Sequence, residues 1–139
     1  MKILITGGTG LLGRMLVQRF QDIFSLGIIS RSRDKARFAE AKGVEVFYGD
    51  LRDREFACKA IRGVDCVVHL AAVFDVAAAL KDNIAFMKNV IAACQNNGVG
   101  KIIFMSSINS RFKKQGPYSL SKRICEEELS VSGLDYCIL

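Results

Sequence analysis

The chain has 139 residues, and half of them are hydrophobic. This is the size of one domain, and the apolar content excludes a disordered chain because it is enough to form a core. No apolar run reaches the roughly 18–20 residues of a membrane span, and residues 1–6 lack the long apolar stretch of a secretory signal. We therefore predict one cytoplasmic domain, residues 1–139, with no membrane partner.

The net charge of the chain is +6. The basic residues are spread out, with modest clusters at residues 31–37 and 111–114. This charge fits an anionic ligand such as a nucleotide phosphate, and it also fits ordinary solvated surface charge. Neither cluster has interleaved aromatic residues, so we predict no nucleic-acid partner.

The five cysteines are odd in number and form no closely spaced pair. Cys66, Cys94 and Cys137 lie inside apolar runs. This placement predicts small, reduced core residues of a cytoplasmic protein rather than a disulfide frame or a zinc site. We therefore expect no metal ion.

Short apolar runs alternate along the chain with longer segments of helical periodicity. The runs predict strands at 2–6, 26–30, 44–49, 65–72, 101–107 and 135–139. The periodic segments predict helices at 11–22, 34–42, 53–62, 80–97 and from Pro117 to about Val131. This alternation indicates an α/β fold with a doubly wound parallel sheet, and the nearly continuous apolarity of the strands indicates that helices cover both faces.

A glycine-rich turn, TGGTGLLG, joins the first strand to the first helix. Glycine allows a tight turn at position 7, close approach of the backbone to a pyrophosphate at position 10, and close helix packing at position 13. The helix N-terminus then offers free N–H groups and a partial positive charge. An ordinary glycine turn is the alternative, but the position between strand and helix favours a dinucleotide site in a Rossmann fold with strand order 3-2-1-4-5-6. The predicted contacts in this turn are Thr6, Gly7, Gly10, Leu11, Leu12 and Gly13.

The end of the second strand predicts the type of dinucleotide. An acidic residue here would select NAD by binding the ribose hydroxyls, whereas this chain has Ser30 and Arg31. A guanidinium pairs well with a 2′-phosphate, so we predict NADP in preference to NAD, with solvated loop charge as the alternative. Asp50 and Leu51 end the third strand, where Asp50 is placed to accept a hydrogen bond from the adenine amine.

Tyr118 and Lys122 stand four residues apart, which puts them on one face of a helix. A free tyrosine is a poor acid or base at neutral pH, and a nearby ammonium favours its ionised form. Ser107 ends the fifth strand, at the edge of the sheet where ligands bind in open α/β folds. We predict a proton-transfer site from these three side chains, although such a Tyr–Lys spacing by itself is common in helices.

Six motifs in order give the chain a resemblance to a known family. TGGTGLLG, GDL, HLAA, the spaced NI and NV pairs at 83–90, FMSS and YSLSK resemble the short-chain dehydrogenase/reductase superfamily. TGGTGLLG and HLAA look like its NAD(P)-dependent epimerase/dehydratase family. The segment from residue 27 to residue 53, with arginine after the second strand, is more similar to the atypical NAD(P)H-binding branch.

The resemblance implies a role for each matching residue. Tyr118 would be the catalytic acid or base, and Lys122 would bind the nicotinamide ribose and lower the pKa of Tyr118. Ser107 would orient the substrate oxygen, and Asn83 would support the active-site helix and its proton relay. His69 would be structural. The HLAA match places Leu70, Ala71 and Ala72 beside the cofactor.

Two departures affect the region that would meet the substrate. The segment 108–116 is short and basic, where the family commonly has a Tyr-Gly pair and a long loop. The family also continues past the last strand into a substrate domain, so we expect this chain to be a fragment of a longer protein, truncated before that domain.

The resemblance implies hydride transfer between NADP or NAD and a carbon that bears a hydroxyl or carbonyl, in a small-molecule substrate such as a nucleotide sugar. The alternative is a non-catalytic NADP-binding regulatory or assembly protein, as some atypical relatives are. A homodimer is compatible with either interpretation.

Overall fold

The computed structural model describes residues 1–139, which form one six-stranded sheet with helices on both faces. The strands are β1 (Lys2–Thr6), β2 (Ser25–Ser30), β3 (Glu45–Tyr48), β4 (Cys66–His69), β5 (Lys101–Phe104) and β6 (Tyr136–Ile138). The α-helices are α1 (Leu11–Phe20), α2 (Arg33–Glu40), α3 (Arg54–Ala60), α4 (Ala79–Asn97) and α5 (Pro117–Ser130), and a short 3₁₀ helix spans Ile108–Arg111. No helix has the length and apolarity needed to cross a membrane.

The sheet is parallel throughout, in the order β3-β2-β1-β4-β5-β6. This order confirms the predicted doubly wound topology. Strands β2 and β3 are added on one side of β1, and strands β4 to β6 on the other side. The strand order therefore reverses between β1 and β4, where Thr6 pairs in register with His69. Ligands of open α/β sheets bind in the crevice at such a reversal, beyond the carboxyl ends of the strands.

Two hydrophobic cores lie on opposite faces of the sheet. The larger core packs α3, α4 and α5 on one face, with Met87, Ile102 and Leu129 fully buried in it. The smaller core packs α1 and α2 on the other face, around Val17 and Ile28. Burial on both faces explains why the strands are apolar at consecutive positions.

An apolar groove of about 480 Å³ lies beside α1 on the face of the smaller core. Leu12, Leu16 and Phe20, which the periodicity placed on one helix face, line this groove together with residues of β1, β4 and β5. Leu12 keeps 38% of its surface exposed, so this face of α1 is only partly covered.

Strands β4 and β5 end earlier than their apolar runs predicted. After β4, the Leu70 N–H still bonds to the Thr6 carbonyl, but the next N–H, of Ala71, bonds to the Thr6 side chain instead. The chain leaves the sheet at this point, where a side chain replaces the backbone acceptor. The 3₁₀ helix after β5 was not predicted, and Ser107 begins it by accepting a hydrogen bond from the Asn109 N–H.

Candidate active site

A cleft of about 270 Å³ opens at the carboxyl ends of the central strands. It brings together most of the residues that were predicted to contact a cofactor. These are Gly7, Gly10, Ser30, Arg31, Asp50, Leu51, Leu70, Ala71 and Ala72. The cleft wall also includes Val73, Phe74 and Phe86, which the motifs did not single out.

The glycine-rich turn is packed too tightly to accept side chains. A Cβ atom on Gly7 would lie 2.7 Å from the Ala71 nitrogen, and Gly7 also has a positive φ of 69°. A Cβ on Gly13 would lie 2.5 Å from the Gly7 carbonyl oxygen. Gly8 is equally restricted, since its Cβ would meet Ile28 at 2.5 Å. Close packing of the turn against the segment after β4, against β2 and against α1 therefore requires glycine at positions 7, 8 and 13 respectively.

The start of α1 has unpaired backbone donors next to Gly10, although Leu11, Leu12 and Gly13 do not line the cleft. Gly10 N–H bonds to the Gly7 carbonyl and Arg14 N–H to the Gly10 carbonyl. The N–H groups of Leu11, Leu12 and Gly13 have no acceptor within the protein. Leu11 and Leu12 direct their side chains to solvent and to the apolar groove. Any contact of these two residues with a phosphate would therefore use backbone N–H groups, as helix N-termini do.

Thr6 lies beneath the cleft wall rather than in it. Its side chain is completely buried, and its Oγ1 lies 2.7 Å from Nδ1 of His69 while accepting a hydrogen bond from the Ala71 N–H. Burial, with a smaller contribution from the charge of Lys122, lowers the pKa of His69 to about 3, so the imidazole is neutral. The Thr6–His69 pair therefore supports the cleft wall at Ala71, and this is a structural role for both residues.

At one end of the cleft, Ser30 is closed off by its own segment. The Ser30 hydroxyl donates to the Ser32 carbonyl at 2.8 Å and accepts from the Ser32 N–H at 3.1 Å. Only 4% of Ser30 is exposed, so its hydroxyl shapes the loop. The Arg31 guanidinium lies 3.7 Å from Asp50, and its side chain is 66% exposed. Arg31 is therefore free to turn toward a ligand phosphate.

Asp50 makes a stronger ion pair with Arg52, a residue that the motifs did not single out. Arg52 donates to both carboxylate oxygens, at 3.1 Å from Nε and 2.6 Å from Nη2. These hydrogen bonds lower the pKa of Asp50, against an opposing effect of partial burial. A forked contact of this kind holds Asp50 ionised and oriented at the end of the cleft.

Two asparagines of α4 hold two of the loops that line the cleft. Asn89 donates to the Leu51 carbonyl at 2.7 Å, which ties α4 to the loop after β3. Asn83 accepts from the Val73 N–H at 2.7 Å and donates to the Ser121 hydroxyl at 3.0 Å. Asn83 therefore joins the loop after β4 to the first turn of α5. It makes no hydrogen bond to Lys122.

Tyr118 and Lys122 of α5 do not line the cleft, and Tyr118 meets its wall through Phe74. Lys122 is 3% exposed, and its Nζ donates to the Met105 carbonyl at 2.7 Å. The same Nζ lies 5.7 Å from the centre of the Tyr118 ring and 4.6 Å from that of Phe104. Burial lowers the pKa of Lys122 to about 8, so this ammonium is easily deprotonated for a lysine.

Tyr118 stacks on Phe74, which links it to the cleft. The two ring centres are 4.7 Å apart and the planes meet at 25°. Burial raises the pKa of Tyr118, whereas the resemblance implied that Lys122 would lower it. The difference arises because the ammonium is directed at the Met105 carbonyl, and because removal from water disfavours the phenolate.

Ser107 lies at the start of the 3₁₀ helix, and neighbouring side chains hold the segment around it. Ser106 and Ser110 both donate to the Glu126 carboxylate, the latter at 2.8 Å. Glu126 stands four residues after Lys122, on the same side of α5. This spacing is the only signal in the sequence that could have pointed to Glu126. Its partners, Ser106 and Ser110, lie more than 15 residues away along the chain and could not be deduced.

The fold, the glycine turn and the cleft define an NAD(P)-binding protein of the short-chain dehydrogenase/reductase type. Residues 7–139 match the family described as NAD(P)H-binding, and the chain belongs to this family. The family match confirms both the resemblance found in the motifs and the expectation of NADP or NAD as cofactor.

Relatives with different functions share this domain. The chain is 31% identical to the photosystem II assembly factor Ycf39 of Cyanophora paradoxa, over 99% of its own length and 44% of the relative. It is 39% identical to the inverting UDP-N-acetylglucosamine 4,6-dehydratase of Campylobacter jejuni, over 76% of its length and 36% of the relative. The chain thus spans less than half the length of these curated relatives.

The fold of one solved structure matches the fold of this chain over nearly its whole length. It is the UDP-glucose 4-epimerase of Thermus thermophilus in complex with NAD, with a TM-score of 0.81 and 26% identity. The match covers 99% of this chain and 54% of the epimerase. The described domain corresponds in size to about half of that enzyme.

Proposed function

We propose that this chain is the cofactor-binding part of an NADP-preferring oxidoreductase, epimerase or dehydratase. The observation that carries the proposal is the burial of the Lys122 ammonium beside the Tyr118 ring, which stacks on Phe74 of the cleft wall. Burying an ammonium costs free energy, and strongly shifted groups of this kind concentrate at functional sites.

The cleft residues fit a bound dinucleotide along its length. The glycine turn and the free N–H groups of α1 would hold the diphosphate, Arg31 a 2′-phosphate, and Asp50 the adenine amine. When bound, the nicotinamide supplies or accepts a hydride. Because Phe74 of the cleft wall stacks on Tyr118, the nicotinamide end would lie toward Tyr118.

We assign the proton chemistry to residues of α5 and the segment after β5. Tyr118 would give or take the proton of the substrate oxygen, and Ser107 would orient that oxygen. Lys122 would hold the nicotinamide ribose, while Asn83 would keep the first turn of α5 in place through Ser121. The raised pKa of Tyr118 supports an acid that stays protonated until the cofactor changes its surroundings.

A nucleotide sugar is the substrate class that we favour. The Campylobacter and Thermus relatives are named for UDP-sugar reactions. The segment after Ser107 also carries Arg111, Lys113 and Lys114 without an acidic residue, and all three are exposed. Positive charge at this position would attract an anionic diphosphate.

A non-catalytic NADP-binding assembly protein is the second candidate. The similarity to Ycf39, named as a photosystem II assembly factor, covers 99% of the chain and supports it. The Tyr118–Phe74 stack supports it as well, because the phenol face that a substrate would approach is occupied.

Turnover of UDP-sugars distinguishes the two candidates. The purified protein would be incubated with NADP or NAD and with UDP-glucose or UDP-N-acetylglucosamine, and the products would be followed by NMR. Conversion that stops in the Tyr118→Phe variant supports the enzyme. Tight NADP binding without conversion of any UDP-sugar, in a protein that includes all of its natural chain, supports the assembly role.

A further inference from the structure

Arg14 is an exposed residue whose side chain is nevertheless held on three sides. Its Nε donates to the Thr9 carbonyl at 3.0 Å, and its Nη2 donates to the Lys35 carbonyl at 3.0 Å. Its guanidinium also lies 4.2 Å from the centre of the Phe38 ring. Ordering an exposed arginine costs conformational entropy, which these three contacts must offset.

These contacts connect two segments that are distant in sequence. Thr9 belongs to the glycine turn, and Lys35 lies in the first turn of α2, just beyond Arg31. Within residues 31–35, the other hydrogen bonds are local, such as that from the Lys35 N–H to Ser32 Oγ. The Arg14 hydrogen bond is thus the one that joins this segment to the glycine turn.

We propose that Arg14 is a positioning residue for NADP recognition, which holds the Arg31 segment at a set distance from the diphosphate turn. The inference rests on the proposed NADP preference. In NADP the diphosphate and the 2′-phosphate are joined through one ribose, so their separation is limited by covalent structure. A protein that binds both anions must hold its two anion sites at a matching separation.

Arginine suits this role because of its shape. Its planar fork reaches two carbonyl groups at once while one face packs on an aromatic ring, and the single ammonium of lysine cannot do both. NAD has no 2′-phosphate, so its binding depends on the glycine turn and much less on the position of the Arg31 segment. Arg14 therefore acts on the preference between the two cofactors.

The test compares the affinities of NADP and NAD by calorimetry in four proteins: wild type, Arg14→Leu, Arg14→Lys and Arg19→Leu. Arg19 lies on the same helix and is exposed, and its side chain makes no hydrogen bond or ion pair, so its loss matches the change in charge. Thermal unfolding of each variant shows that it is folded.

We expect Arg14→Leu to weaken NADP binding about tenfold and NAD binding less than about threefold, as loss of one charged hydrogen-bond anchor would. Arg14→Lys should show the same selective loss, and Arg19→Leu should match wild type. An unchanged ratio of the two affinities in Arg14→Leu overturns the inference, and so does full NADP preference in Arg14→Lys, since charge alone would then suffice. A wild type that prefers NAD instead refutes the proposed cofactor preference, and the inference with it.

Discussion

The Lys122 ammonium lies 5.7 Å from the centre of the Tyr118 ring but donates its hydrogen bond to the Met105 carbonyl. The two side chains are therefore neighbours without a direct bond. Burial raises the pKa of Tyr118 and lowers that of Lys122 to about 8, so it shifts the titration of each group toward its neutral form. At pH 7 a lysine with a pKa of about 8 is still mostly protonated, so Lys122 remains an ammonium beside a neutral Tyr118 phenol.

Replacing Tyr118 with phenylalanine tests its proposed role as acid or base. The change removes only the hydroxyl, which makes no hydrogen bond in this structure, so stability and NADP affinity should stay close to wild type. Turnover of an accepted UDP-sugar should fall by about 10²–10⁴-fold, the usual contribution of a positioned acid or base. Tyr136→Phe is the control, because Tyr136 lies in β6 and is 40% exposed. Full activity of the Tyr118 variant would contradict the role.

The depressed pKa of Lys122 predicts a specific dependence of stability on pH. Its folded value of about 8 lies below the ordinary 10.5, so the unfolded chain binds more protons between these values and stability rises with pH there. From about pH 7 to pH 9.5 the contribution should be about 2 kcal/mol. Urea unfolding at both pH values should show wild type and Lys113→Met gaining about this much relative to Lys122→Met, because the raised pKa values of the buried cysteines oppose the gain in all three proteins. Equal gains in all three proteins would contradict the shift.

Arg31 is the residue that we expect to select NADP. Arg31→Asp should weaken NADP binding by about 1.5–3 kcal/mol, the range for a hydrogen bond to a charged group, and leave NAD binding much less affected. Titration calorimetry with both cofactors measures this. Arg62→Asp repeats the charge reversal at an exposed site outside the cleft and should bind both cofactors like wild type. Tighter binding of NAD than of NADP by the unmodified protein would contradict the selection of NADP by Arg31.

Gly13 should respond to alanine in the direction opposite to that of most helical glycines. Alanine normally stabilises a helix interior by up to about 1 kcal/mol relative to glycine. A Cβ here would lie 2.5 Å from the Gly7 carbonyl oxygen, so we expect a loss of about 1–3 kcal/mol together with weaker cofactor binding. Chemical denaturation and NADP titration measure the two effects. Gly100→Ala is the comparison, since its Cβ would stay 3.4 Å from the nearest atom. Equal stability of the two variants would contradict the packing argument.

Local patterns in the sequence were sufficient for the fold and for part of the site. Apolar runs alternating with helical periods predicted the parallel sheet, and the glycine spacing between β1 and α1 predicted the dinucleotide cleft. These features depend on residues close together in the chain, where backbone sterics and side-chain periodicity act directly. The four-residue spacing of Tyr118 and Lys122 likewise required only the geometry of one helix.

The tertiary structure decided which groups meet across the sheet edge and how strongly each is desolvated. Arg14 reaches Lys35, Asn89 reaches Leu51, and Lys122 reaches Met105, across separations of 21, 38 and 17 residues. No local pattern specifies such partners, because they depend on how the strands and helices pack. Burial is also a property of the packed fold, and it made the pKa of Tyr118 rise although a lysine stands one helical turn away.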